Sequence, residues 1–192
     1  MKIGIDVDNT ITNTLPILKE YCKKYNDKVI KRNLKMNEKG YNTNTLYEWT
    51  KEENLIFCNK YFHEIFMQVD VKENAREIIE KIKNEGNEIY IITARSEPTI
   101  IDPYNITKDF LDKNNIVYDK IIVNCKDKYT YCKENDIEIM IDDEPQNINA
   151  ISKIMPVIAF KETHNEDSEG ENIIKVNTWK EVYEEYRKIA NK

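Results

Sequence analysis

Residues 3–12 read IGIDVDNTIT, a short Ile-rich run that stops abruptly at Asp6 and Asp8. An apolar run of this length bounded by polar residues suits a strand buried in a parallel sheet. Residues i and i+2 of a strand share a face, so Asp6 and Asp8 are expected together at its C-terminal end. That edge is where open α/β sheets bind their ligands. The bland reading of strand-end aspartates is capping of the next helix. Two like charges this close are costly without a cation, so the pair points to a metal or a shared proton.

Outward from this stretch, strand and helix patterns alternate. KENAREIIEKIKNEG (72–86) places Ala75, Ile78, Ile79 and Ile82 on one helical face, with Gly86 as the stop. NEIYIITAR follows as a strand ending near Thr93, then a helix over 105–114, a strand over 120–124 and a helix over 127–135. IEIMIDDEP is the next strand, ending at Asp142–Asp143, and Pro145 opens a helix over about 145–153. PVIAF (156–160) and IIKV (173–176) are two further strands, and Thr178 with Glu181 forms a capping box for a last helix. Strands separated by helices imply right-handed crossovers and one parallel sheet. Segment 13–71 breaks the rhythm: a helix near 14–26, a polar stretch NEKGYNTNT, and a helix opened by Thr50 and Glu53 that runs to about Met67. The expected organisation is a core domain of 1–12 and 72–192 with a helical cap insertion of 13–71.

At 192 residues, 40% hydrophobic and 33% charged, the chain fits one soluble domain with a modest insertion. No apolar stretch approaches the roughly 18 residues of a membrane span. The chain opens on a strand rather than a signal peptide, which makes the cytoplasm the expected address and a membrane partner unexpected. A net charge of −6 counts against a general affinity for nucleic acid. The basic residues between Lys19 and Lys35 read as a solvated helix face that can also guide an anion. Cys22, Cys58, Cys125 and Cys132 lack metal-ligand spacing and are expected reduced. His63 and His164 have no sequence partner and receive no role.

Four features fall at strand ends or helix starts on one edge of such a sheet: Asp6 with Asp8, Thr93, Lys128, and Asp142 with Asp143. Four carboxylates, a hydroxyl and an ammonium make a poor core but a sensible phosphoryl-transfer site. Hard oxygen ligands favour Mg²⁺, which offsets carboxylate repulsion and neutralises phosphate oxygens. Taken alone, Lys128 has a rival in Lys126, and Arg95 suits a substrate phosphate or a surface ion pair about equally.

In this order the features resemble the four motifs of the haloacid dehalogenase-like (HAD) phosphohydrolases, over residues 3 to 147. The resemblance implies an α/β fold, a HAD-like Rossmannoid parallel sheet flanked by helices, with a small helical C1-type cap. Within the superfamily the chain is most similar to the 5′(3′)-deoxyribonucleotidases and their bacterial relatives. The resemblance rests on IDVDNTIT, the cap length, a Tyr-containing loop after Thr93, the KDK triplet 126–128 and IDDEP. Asn9 stands where that family usually has Gly, and Ala94–Arg95 where it has a second small polar residue.

The resemblance implies a Mg²⁺-dependent phosphomonoesterase acting on a (deoxy)nucleoside monophosphate through an aspartyl-phosphate. Asp6 is then the nucleophile and Asp8 the proton carrier, with its pKa raised by Asp6. Thr93 and Lys128 hold the phosphate oxygens. Mg²⁺ is held by Asp6, the carbonyl of Asp8, and Asp143, which aligns with Asn147 on the last motif; Asp142 lies behind. In the cap, Tyr41, Tyr47, Trp49, Phe57, Tyr61, Phe62 and Phe66 can stack on a nucleobase; Tyr47 and Trp49, in the less regular segment, are the better candidates, while Phe62 and Phe66, at helical spacing, are expected in the core. The alternatives are a sugar phosphate, another small metabolite or a nucleic-acid 3′-phosphate as substrate, a phospho-receiver domain, and an inactive scaffold. The sequence leaves a homodimer open.

Overall fold

A computed structural model describes residues 1–191. The Ile-rich run forms β1 (Lys2–Ile5) in the interior of a six-stranded, all-parallel sheet. On one side lie β2 (Glu88–Ile92) and then β3 (Lys120–Ile122). On the other lie β4 (Ile139–Asp142), β5 (Val157–Phe160) and β6 (Ile173–Val176). The order is therefore β3-β2-β1-β4-β5-β6. The chain moves outward from β1 to β3 and then crosses back to the far side of β1. The carboxyl ends of β1 and β4 thus flank the switch point, where such sheets open a crevice.

The helices are α1 (Thr14–Tyr25), α2 (Thr43–Leu46), α3 (Lys51–Gln68), α4 (Ala75–Asn84), α5 (Pro103–Lys113), α6 (Lys128–Glu134), α7 (Pro145–Ile151) and α8 (Trp179–Ala190). Alternate strand residues serve different layers. Ile89, Ile91, Ile139, Ile141, Ile158 and Phe160 join Ile79 and Ile82 of α4 and Trp179 and Val182 of α8. Tyr90, Ile92, Met140, Val157 and Ala159 join Cys132 of α6 and Ile148 and Ile151 of α7. Both faces are covered, which is why the strands read as unbroken apolar runs.

The insertion leaves and rejoins the core at one point. Thr12 and Val71 form an antiparallel bridge, Asn13 N–H donates to the Asp70 carbonyl at 2.9 Å, and Lys72 N–H donates to the Ile11 carbonyl at 2.7 Å. Its apolar residues, among them Leu18, Tyr25, Leu46, Phe57 and Ile65, share one buried cluster with the first face of the sheet.

Several elements depart from expectation for local reasons. The polar stretch holds α2, because the Asn42 side chain accepts from Asn44 and Thr45 N–H and the Thr45 hydroxyl answers to Asn42 N–H. Helix α1 runs on into a π-turn at Asn26–Ile30 that stops at left-handed Lys31. Helix α5 begins at Pro103 because Asp102 caps it, and β3 ends at Ile122, two residues before left-handed Asn124. Gly86 does end α4, at φ 88°. At α8, Thr178 accepts the Glu181 N–H at 3.2 Å, but the Glu181 carboxylate takes the Asn177 N–H, so only half of the expected box forms. All four cysteines are free and buried. Among the described residues no helix is long and apolar enough to cross a membrane.

Candidate active site

Asp6 follows β1 and donates its N–H to the Ile141 carbonyl of β4 at 2.9 Å, so it sits on the seam between the two strands. Asp142 closes β4 and Asp143 comes next. One carboxylate oxygen from each of Asp6, Asp142 and Asp143 lies within 4.8 Å of the others, and all three residues are buried. Lys128, the first residue of α6, reaches into this corner: its Nζ donates to Asp6 Oδ1 at 2.5 Å and to Asp142 Oδ2 at 2.8 Å. Burial alone would push the ammonium down, but Asp142 and Asp6 outweigh it and hold it above its ordinary value.

One ammonium does not neutralise three carboxylates. Burial pushes Asp6 well above the carboxylate range; Lys128 opposes this, while Asp142 and Asp143 add to it. Burial raises Asp143 too, against its bond from His164. Such a corner fits a divalent cation. Every donor is a hard oxygen, and among the described residues Asp6 Oδ2 and the Asp8 carbonyl carry no hydrogen bond. Asp143 offers two oxygens that accept from Thr10 at 3.3 Å and His164 at 2.9 Å. The oxygens of Asp142 are occupied by Lys128, Glu144 N–H and Asn147, which leaves it the supporting member.

Asp8 departs from expectation. It is bound not by Asp6 but by Arg95, whose Nε and Nη2 donate to its two oxygens at 2.9 Å each. Thr14 donates a third bond at 2.9 Å. Burial would raise the carboxyl, yet the charge and hydrogen bonds of Arg95 win and hold it below its ordinary value. The expectation of a raised pKa is thus reversed: the nearest charge that matters belongs to Arg95, a residue from the distant loop after β2. Arg95 itself is buried, bonded to the Thr107 hydroxyl and laid over the Phe66 ring at 3.9 Å. Asn9 adopts φ 61°, a left-handed conformation that Asn tolerates, and its side chain accepts the Leu15 N–H at the start of α1.

A cavity of about 300 Å³ opens above the carboxylates, between the sheet edge and the insertion. Asp6, Asp8, Thr93, Arg95 and Asp143 line its floor. The Thr93 hydroxyl accepts the Arg95 N–H at 3.3 Å and keeps its own hydrogen to donate. Lys128 and Asp142 lie behind this floor, 2% and 0% exposed at their side chains. Lys128 therefore sits behind Asp6 rather than on the cavity surface.

The insertion supplies the opposite wall, and there the expected aromatics are corrected. Tyr47 and Trp49 stack on each other at 5.2 Å, and Trp49 packs on Tyr25 and Phe57 and donates to Asn26. Neither lines the cavity. Phe62, Phe66 and Tyr41 do, with Leu18 and the polar group Thr43, Asn44, Asn54 and Cys58. Helical spacing placed Phe62 and Phe66 on one face correctly, but that face looks into the cavity as well as the core. Tyr41 was among the cap aromatics expected to be able to stack on a base; Glu144 and His164 went unrecognised. Glu144 follows the acidic pair and was legible by position, whereas nothing near His164 in sequence announces Asp143 as its partner.

Comparison with known proteins bears on the family and the fold. Residues 1–190 match the profile of the family described as 5′ nucleotidase, deoxy (Pyrimidine), cytosolic type C protein. A curated relative, "Putative nucleotidase YqfW" of Bacillus subtilis (strain 168), is 28% identical over 186 residues, covering 95% of this chain and 91% of the relative. Among solved structures, a haloacid dehalogenase-like family hydrolase from Streptococcus pneumoniae superposes with a TM-score of 0.71 at 12% identity, covering 96% of this chain and 97% of that one. CbbY of Rhodobacter sphaeroides, solved in complex with phosphate, gives a TM-score of 0.62 at 12% identity, covering 94% and 95%. These two likenesses speak to the fold.

Proposed function

The chain belongs to the 5′ nucleotidase, deoxy (Pyrimidine), cytosolic type C family and is a HAD-type phosphoric monoester hydrolase; on that premise we propose that it is a Mg²⁺-dependent 5′-nucleotidase acting on (deoxy)nucleoside monophosphates. The observation that carries this reading is the meeting of Asp6 and Asp143 on the floor of a cavity whose other wall is the insertion.

Asp6, the Asp8 carbonyl and Asp143 would hold Mg²⁺, which would supply charge neutralisation at the phosphate. An oxygen of Asp6 attacks phosphorus, the ester P–O bond breaks, and the leaving oxygen takes a proton from Asp8. Water then attacks the aspartyl-phosphate, Asp8 takes the water's proton, and the P–O bond to Asp6 breaks to release inorganic phosphate. Thr93 donates to a phosphate oxygen. Lys128 orients Asp6 from behind and balances its charge. Arg95 exchanges Asp8 for the incoming phosphate, and the carboxyl it releases, now governed by burial and Asp6, takes up the proton that the first step needs. Residues 13–71 act as a cap that excludes water during attack, with Phe62, Phe66 and Tyr41 against the nucleoside. A cytoplasmic address belongs to the same reading.

The test is phosphate release from a panel of deoxy- and ribonucleoside monophosphates, sugar phosphates and 3′-phosphorylated oligonucleotides, with Mg²⁺ and with chelator. Turnover of nucleotides that chelator abolishes is the expected result. Inert nucleotides beside a rapidly hydrolysed sugar phosphate would refute the substrate assignment.

A further inference from the structure

Asp143 is gripped by a short 3-10 turn, Thr163–Asn165, that follows β5 and has no part in the mechanism above. The grip has two arms. Asn165 Nδ2 donates to the Asp143 carbonyl at 2.7 Å and to the Phe160 carbonyl at 2.8 Å, which fixes the main chain. His164 Nε2 lies 2.9 Å from Asp143 Oδ2, with the imidazole only 2% exposed. A carboxylate accepts and cannot donate, so Nε2–H is the donor. On the other oxygen, Thr10 Oγ1 donates at 3.3 Å, and Thr10 is itself anchored where its carbonyl accepts from Trp179 Nε1 at 3.1 Å. Asp143 is thereby held from both sides in one orientation.

The imidazole has a second contact. The Tyr41 ring stacks on it at 4.8 Å between centroids and 29° between planes. Tyr41 belongs to the insertion, lines the cavity, and is held by its N–H bond to the Thr45 hydroxyl of α2 at 2.9 Å. One side chain of the sheet domain therefore touches a candidate metal ligand with its nitrogen and the insertion with its ring face.

We propose that His164 is the positioning residue of the metal site: it orients Asp143 for the cation and, through its stack on Tyr41, links metal occupancy to the placement of the insertion. Outer partners that orient a ligating carboxylate are commonly worth 10–100-fold in metal affinity. The proposal rests on the metal-dependent reading given above.

Its test is Mg²⁺ binding to the purified full chain, by titration calorimetry and by the Mg²⁺-induced shift of the thermal midpoint. His164→Phe keeps a ring for Tyr41 but cannot donate, whereas His164→Gln can. The expected result is a dissociation constant raised about 10–100-fold in H164F and brought back in H164Q, which has the donor but no ring for Tyr41, to about that of Tyr41→Ala. Tyr41→Ala is expected to weaken binding at least about threefold, and Tyr41→Phe to leave it unchanged. Far-UV circular dichroism and the metal-free midpoint establish that each variant folds, and His164→Leu, which also cannot donate, takes the place of H164F should that variant not fold. Equal affinities in H164F and wild type overturn the positioning role, and an unaffected Y41A overturns the link to the insertion. A wild-type chain that binds no Mg²⁺ while hydrolysing phosphomonoesters defeats the metal reading itself, a result distinguishable from either.

Discussion

Arg95 grips Asp8 with two parallel bonds of 2.9 Å, Nε to Oδ2 and Nη2 to Oδ1, across a sequence separation of 87 residues. This fork geometry is the one guanidinium also uses for phosphate. The residue assigned to carry the proton is thus engaged by a cation suited to the substrate's own charge. Displacement of one anion by another is the simplest way for substrate to ready the acid.

Arg95→Gln should therefore destabilise the fold at pH 7 by about 1–3 kcal/mol, the cost of a buried group deprived of its charged partner. The pair lowers Asp8 below its unfolded value, so its contribution is full above the ordinary carboxyl pKa and fades as pH falls through the folded one. Urea midpoints of wild type and R95Q from pH 7 downward should converge below about pH 4. A constant gap would mean that Arg95 stabilises through Phe66 and Thr107 instead.

Asp6→Asn should remove phosphatase activity by at least about 10³-fold, since no carboxylate remains to form the intermediate. Stability should move the other way. Burial already raises Asp6 well above its usual range, so a neutral amide relieves an unfavourable charge. The metal-free melting temperature at pH 7.5 is expected to equal or exceed that of wild type. Measurable turnover in D6N would assign the attack to another residue.

Lys128→Met tests the opposite sign. The ammonium is the cation bonded to both Asp6 and Asp142, and its loss leaves buried carboxylates facing one another. A loss of about 3–5 kcal/mol is expected, as for breaking a buried pair from one side. Saturating Mg²⁺ should recover part of it, because the second cation takes over some compensation. A K128M variant as stable as wild type would show that water reaches the corner freely.

Mg²⁺ affinity should rise as pH climbs above the ordinary carboxyl range, about 4, with proton release on binding. Asp6 and Asp143 are both raised, and each must be deprotonated to ligate. A carboxyl with a raised folded pKa keeps its proton longer folded than unfolded, so these two groups also make metal-free stability fall as pH climbs above that range. Calorimetry in two buffers of different ionisation enthalpy measures the protons released. A pH-independent affinity with none released would contradict the raised values.

The legible part of this protein was carried by spacing. The i, i+2 aspartates, the acidic pair closing a later apolar run, and a lysine opening a helix all land on one sheet edge because parallel strands present their carboxyl ends together. Helix starts with strong caps, Thr50–Glu53 and Thr178, were legible for the same local reason. Tyr47 and Trp49 were misread because an irregular segment has no period: sequence gave no face to assign, and packing turned both rings into the insertion's own core.

What the amino-acid sequence determined by itself is the sheet, its order of elements and the carboxylates at its switch point. These follow from side-chain periodicity and backbone geometry, which act over a few residues. The tertiary structure alone decided that Asp8 pairs with Arg95, that His164 reaches Asp143, and which aromatic rings face the cavity. Those outcomes depend on how the insertion and the loops after β2 and β5 pack over the sheet edge. No local pattern encodes the distance between side chains that many intervening residues bring together.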